Sequence, residues 1–219
     1  MNYEQAKNIK KQWNGKANAV KDIIETQRTI YSGIQEQLQV LENKLQDYDH
    51  IKKIKSLFDD ERGEAETTTI TTQHGTTEYK YIINQDDDID IFINDVSRCL
   101  TAEKHKQKYT NALVKMYSYA YNQDLANLVK YYNQVKELSH TFMEVLEENM
   151  DLLLAEDVNV PDGEAPKKTK REGAYNEIAK AMKRRLDDGE LLVKELDELL
   201  IAKEILEAKK KSKKRKGKK

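Results

Sequence analysis

Proline is almost missing: the 219 residues hold two, Pro161 and Pro166, with only eight glycines beside them. These are the residues that most often end or kink a helix, so their scarcity lets elements run long. Cysteine is rarer still. The single Cys99 excludes an intramolecular disulfide framework and any multi-cysteine metal site, fits a reducing compartment, and reads as a small seam residue in a helical pattern. Long apolar runs are lacking too, since no segment approaches the ~18–20 consecutive apolar residues of a membrane span. The start, Met1-Asn2-Tyr3-Glu4, has no apolar run of the kind a signal peptide needs. The expected location is therefore the cytoplasm, or the nucleus in a eukaryote or virus.

Apolar residues make up 38% of the chain and charged ones 35%. A compact domain normally draws on about 45–50% apolar residues. A thin seam between long helices needs only two or three apolar positions in about seven, and suits this composition better than a spherical core. The net charge of −1 hides an asymmetry. The last eleven residues hold nine cations (Lys209, Lys210, Lys211, Lys213, Lys214, Arg215, Lys216, Lys218 and Lys219) and no acid. Without them, 29 basic residues face 39 acidic ones, which leaves the body near −10. An acidic body with a basic tail is not described by its isoelectric point.

From Tyr3 to about Asp60 apolar residues recur at helical spacing. Ile34, Leu38, Leu41, Leu45 and Tyr48 step by four, three, four and three, the spacing of a heptad seam. Val20, Ile24, Gln27 and Tyr31 extend it backwards, with Trp13 on the same general face, and residues 1–61 read as one long coiled-coil helix. Residues 62–85 change character: a threonine-rich stretch, His74-Gly75, then Tyr79 to Ile83 with its aromatic and β-branched residues, which predicts a β-hairpin. Residues 86–156 return to helical spacing. Asp86, Asp87 and Asp88 suit the positive end of a helix dipole, and Thr101 or Asn122 is placed to cap a further helix. Leu128, Tyr132, Val135, Phe142 and Leu146 give this region its own seam, interrupted by Ser139 and Asn149. Both prolines, with Lys167, Lys168, Lys170 and Arg171, make residues 157–173 a flexible linker by composition. Residues 174–208 read as a helix or a helical hairpin turning at Asp187-Asp188-Gly189. Residues 209–219 are expected to be a disordered basic tail, because close like charges repel.

No phosphate-cradling glycine loop, paired-histidine metal motif, nucleophile elbow or Cys-His cluster occurs, so no catalytic, cofactor or metal residue is assigned. His50, His74, His105 and His140 lie far apart, as surface or seam residues. Asp86, Asp88 and Asp90 match the first ligand positions of an EF-hand loop. The match then fails at Ile91, where a glycine turns the loop, and at Ser97, where a bidentate glutamate belongs, so a helix start is the better reading. Tyr109, Tyr117, Tyr119, Tyr121, Tyr131 and Tyr132 crowd one region. Tyr117 and Tyr121 share a helical face and Tyr119 points elsewhere, so one seam cannot bury all three. Packing among several helices is the first reading; a partner surface and base stacking are the alternatives. The tail offers its charge to nucleic-acid phosphates, an acidic protein or anionic lipid, or serves as an import signal or a solvated end. No apolar anchor adjoins it, which argues against stable membrane attachment.

The order long helix, hairpin, long helix over residues 3–156 resembles the prefoldin layout, and a flexible rod ending in a cationic segment over residues 157–219 resembles viral scaffolding proteins. These are likenesses of architecture. The expected fold is mainly α: an extended coiled-coil or helical bundle with one small β-hairpin insertion. The expected role is non-enzymatic: a structural or assembly adaptor. The two seams, Ile34 to Tyr48 and Leu128 to Leu146, pair with other protein chains in a homo- or hetero-oligomer, and the tail docks an anionic partner. The alternatives are a nucleic-acid-binding accessory protein and a coiled-coil assembly chaperone.

Overall fold

A computed structural model describes residues 1–58, 68–72, 75–79, 86–149 and 168–216, with side chains described for 1–50, 52, 93–149 and 173–212. The fold is mainly α. Four helices follow one another: α1 (Tyr3–Phe58), α2 (Asp86–Tyr121), α3 (Leu125–Glu148) and α4 (Lys168–Lys216). In the backbone between α1 and α2, β1 (Thr68–Thr72) runs antiparallel to β2 (Gly75–Tyr79), with Ile70 opposite Thr77. No side chain of that ribbon is described, and the described core is built from helices alone.

The helices run up, down, up and down. Leu100 of α2 packs with Ile34, Leu38 and Leu41 of α1, where Lys104 Nζ lies 3.4 Å from Glu42 Oε1. Returning along α2, α3 brings Tyr131 onto Tyr119 and Phe142 onto Tyr109. Finally α4 runs back along α1, joined by Lys16 to Glu195 at 2.5 Å and by Lys209 lying over the Tyr3 ring at 3.6 Å. With 56 residues, α1 is the spine, about 84 Å long at ~1.5 Å per residue. A helix of that length is stable only against neighbours, and the heptad supplies the contact. Val20, Ile24, Gln27, Ile34, Leu38 and Leu41 are all buried, while Glu25, Arg28 and Glu36 between them are exposed.

Two apolar clusters result. One lies between α1 and α2 alone, around Ile34, Leu38, Leu41 and Leu100. The larger one is where α3 and α4 join them, centred on Met116, Tyr117, Leu128, Val135, Leu196 and Leu199, each no more than 1% exposed. Fully burying such side chains contributes about 1.5–3 kcal/mol apiece.

The break between α2 and α3 falls at Asn122-Gln123-Asp124, and neither Thr101 nor Asn122 caps the new helix. Asp124 does: its carboxylate accepts from the Asn127 backbone N–H at 3.1 Å and from the Asn127 amide at 2.7 Å. That hydrogen bonding holds the Asp124 carboxyl below its ordinary value. Gln123 takes the left-handed φ of 60° that lets the chain reverse, and the Lys203 ammonium of α4 donates to its side-chain oxygen. At the other end of α3, Arg98 of α2 donates to Asn149 Oδ1 at 2.9 Å and to the Glu148 carbonyl at 3.0 Å. Helix ends leave such carbonyls unpaired, and a cation beside them suits the dipole.

The C-terminal third differs from the sequence expectation in two places and decides between two readings in a third. Residues 168–173, read as linker, already belong to α4, which begins two residues after Pro166; residues 157–167 lie outside the described residues. Of the two readings of residues 174–208, a helix or a helical hairpin, the structure has the helix, with no turn at Asp187-Asp188-Gly189. The helix runs straight through, and Gly189 serves a different end: a Cβ there would meet Tyr132 Cδ2 at 2.6 Å and Met116 Sδ at 2.9 Å. Its missing side chain lets α4 lie close against α2 and α3. The basic segment is helical through Lys216 rather than disordered, while residues 217–219 are outside the description. Lysine is a good helix former, extending an existing helix is far easier than nucleating one, and cations are favoured at a helix C-terminus. Together these outweigh the like-charge repulsion on which the expectation of disorder rested.

Candidate anion-binding end

The seam residues named from the sequence pack between helices of this one chain. Ile34, Leu38 and Leu41 are buried against α2, Leu45 is half-buried beside them, and Tyr48 is half-buried farther along α1. Leu128, Val135, Phe142 and Leu146 are buried in the larger cluster, with Tyr132 half-buried at its edge. The two polar interruptions are accommodated: Ser139 Oγ donates to the Lys136 carbonyl, and Asn149 bonds Arg98 and the Val145 carbonyl.

The tyrosines pack against several helices. Tyr119 stacks on Tyr131 at 5.3 Å, with the Lys115 and Lys130 ammonium groups over the Tyr131 ring. The buried Tyr117 hydroxyl donates to Asp188 of α4 at 3.2 Å, and Arg185 lies 3.5 Å from the same carboxylate and over the Tyr117 ring. Burial, then the Asp188 charge, pushes the Tyr117 hydroxyl up to about 12, and burial also raises Tyr109. Only Tyr121 of the six is largely exposed. This Tyr117–Arg185–Asp188 group is a polar clasp that fastens α4 to α2. Asp188 and Arg185 were not legible as its members, because nothing in sequence spacing links a residue of α4 to one 71 positions earlier.

The cationic residues converge on one end. Lys209 sits over Tyr3, the first residue of α1, and α4 continues past that contact through Lys210, Lys211, Lys213, Lys214, Arg215 and Lys216. Eight residues of helix span about 12 Å at ~1.5 Å each. Lys210 and Lys211 are exposed and, although Glu207 stands one turn before them on α4, form no ion pair among the described residues. Lys218 and Lys219 lie outside the description. Tyr3 went unnoticed in the sequence as a partner for this segment; a lone aromatic at a helix start carries no signal until the helix packing is known.

Among the described residues, no group of three or more His, Cys, Asp or Glu side chains is placed to hold a metal ion, and no helix is long and apolar enough to cross a membrane. His105 Nδ1 donates to the Thr101 carbonyl of its own helix at 2.9 Å, and His140 is exposed beside Glu144. Asp86 begins α2; its side chain, with those of Asp88 and Asp90, lies outside the description, as does His74. Trp13 Nε1, Glu103 Oε2 and Tyr109 Oη are buried without a partner among the described residues, at separate points of the bundle. Comparison with protein-family models, curated proteins and solved structures finds no match, so the functional reading rests on the geometry of the chain itself.

Proposed function

We propose that this chain is a non-enzymatic assembly adaptor: a helical rod that holds a cationic helix end out to an anionic partner. One observation carries the reading. The basic segment is the continuation of α4 past Lys209, which lies over the ring of Tyr3 at the start of α1, so a run of cations is carried on a helix at that end of the bundle. Packing of Ile34, Leu38, Leu41, Leu128, Val135, Phe142 and Leu146 inside the chain supports assembly through the rod's end rather than through seams shared between chains. Pairing the seams with a second chain would require opening both clusters first.

Lysines dominate the segment, and Arg215 alone can make the planar bidentate contacts typical of specific readout. Charge rather than order should therefore set the affinity. The test compares the intact chain, a chain with residues 209–219 shuffled, and one with six of the lysines there changed to Gln, binding an immobilised polyanion between low and physiological salt. The shuffled chain is expected to bind like the intact one, and the Gln chain to lose most binding. Binding that survives the Gln changes but not the shuffle would overturn the proposal.

A further inference from the structure

We infer that the docking surface is built from two helices, the N-terminal turns of α1 together with the end of α4, and that the polyanion it fits is a nucleic-acid duplex. The inference rests on the adaptor reading above and extends it to residues that reading does not use. Residues 1–21 hold five lysines against a single acid, Glu4, and residues 203–216 hold eight cations against two acids. Far apart in sequence, these stretches meet in space at the Tyr3 ring, which carries Lys7 of its own helix at 5.0 Å and Lys209 of α4 at 3.6 Å, and just beyond them Lys16 pairs with Glu195 of α4. Lys10 and Lys11 follow Lys7 by three and four positions, which places all three on neighbouring parts of one helical face. All three are exposed, and Lys10 and Lys11 pair with no acid among the described residues. Lys7 has only the exposed Glu4 at 3.3 Å, a contact solvent leaves weak.

Folding thus gathers cations that repel one another, and a polymer of phosphates relieves that repulsion while releasing its own counterions. Three features favour nucleic acid over the other anionic surfaces. Within Lys209–Lys216 every residue but Ser212 is a cation, so the segment lacks the aromatic or apolar anchors that dominate protein interfaces. It equally lacks the apolar face that holds a helix in a membrane surface. The length also fits: the cationic run of α4 from Lys203 extends about 20 Å at ~1.5 Å per residue, along which a duplex carries one charge per ~1.7 Å. Phosphates outnumber the cations of α4 there, so lysines added from α1 gain further contacts rather than compete for the same ones.

The experiment uses the full chain and a labelled DNA duplex of about 30 base pairs, with affinity followed between ~50 and ~200 mM salt. Lys7, Lys10 and Lys11 are changed together to Gln; a control carries Lys115, Lys130 and Lys136→Gln in the body. With ~0.9 units of log-log slope per phosphate neutralised, the α1 variant should flatten the slope by two to three units and the control should leave it unchanged. Lysine acetylation of the unmutated chain gives a second readout, in which the duplex should protect Lys10 and Lys11 but not Lys115. An α1 variant indistinguishable from the control, with Lys10 and Lys11 unprotected, sinks the two-helix surface and leaves the adaptor reading standing. A chain that binds polyglutamate of matched charge as tightly as the duplex overturns the nucleic-acid assignment alone. Failure to bind either polymer removes the adaptor reading with it.

Discussion

Gly189→Ala separates a packed α4 from one that merely lies nearby. In an exposed helix interior, alanine is more stable than glycine by about 0.8–1 kcal/mol, because glycine loses more backbone freedom on folding. Gly15 and Gly33 of α1 are such positions: both are exposed, and a Cβ at either would meet nothing within 4 Å. Alanine at each should therefore stabilise by about that amount. At Gly189 the same propensity gain is opposed by contact. The added Cβ would stand 2.6 Å from Tyr132 Cδ2 and 2.9 Å from Met116 Sδ, closer than carbon and sulfur atoms can sit. Met116 is fully buried in the larger cluster, while Tyr132 is part-buried, with Lys136 over its ring. Relief has to come from shifting α4, which loosens the burial of Leu192 and Leu196 beyond it. Overpacking of this kind costs about 1–3 kcal/mol, so Gly189→Ala should be net destabilising by about 1 kcal/mol. The separation from Gly33→Ala is then about 2 kcal/mol, or roughly 4–8 °C in Tm for a chain of this size. Urea and thermal unfolding followed by circular dichroism measure it. If Gly189→Ala stabilises as much as Gly33→Ala, α4 is not seated on α2 and α3 as described.

Two further outcomes follow from the core and from the clasp. Leu38→Ala should cost about 2–5 kcal/mol, because its side chain is buried against Leu100, whereas Val40→Ala, 52% exposed on the same helix, should stay within about 0.5 kcal/mol; equal effects in urea unfolding would contradict the orientation of α1. Alkaline pH should weaken the fold: Tyr117 ionises near 10.0 when unfolded but near 12 when folded, so its contribution is complete below pH 10 and is lost as pH rises towards 12. The loss is on the order of 2–3 kcal/mol from ~1.4 kcal/mol per pH unit. Tyr117→Phe should flatten this decline between pH 10 and 12, and an unchanged decline would mean that the Tyr117 hydroxyl is not sheltered by α4.

The fold was legible where one physical rule dominated. The steps of four and three from Val20 to Tyr48 encode a single stripe, and the bundle buries it as far as Leu41, with Tyr31, Leu45 and Tyr48 half-buried. Residues such as Leu128, Val135 and Leu146 were legible as buried for the same reason, but which helix covers them was not: a heptad specifies that a partner exists and leaves its identity open. The intramolecular pairing is set by the chain reversals, and the one between α2 and α3 puts the left-handed φ on Gln123, one residue past the Asn122 that the sequence offered as a cap. Gly189 left residues 174–208 open between a helix and a hairpin, because a glycine after two aspartates is a common turn signal, and its use here, close approach of helices, depends on Tyr132 and Met116 from elsewhere in the chain. Charge was the clearest signal for the proposed docking surface, and it pointed to the α4 half. Spread over Lys7 to Lys21, the α1 half does not form a dense run and emerges only when Tyr3 meets Lys209.

The most direct test of the central claim, a rod whose seams close on themselves and leave a cationic end for partners, is small-angle X-ray scattering of the full chain with light scattering at several concentrations. The account predicts one mass of 25.5 kDa at every concentration and a longest dimension of about 84 Å or more, set by the 56 residues of α1 at ~1.5 Å each. A mass that doubles with concentration would mean that the seams pair between chains, and a monomer much shorter than α1 would mean that the spine is not one helix.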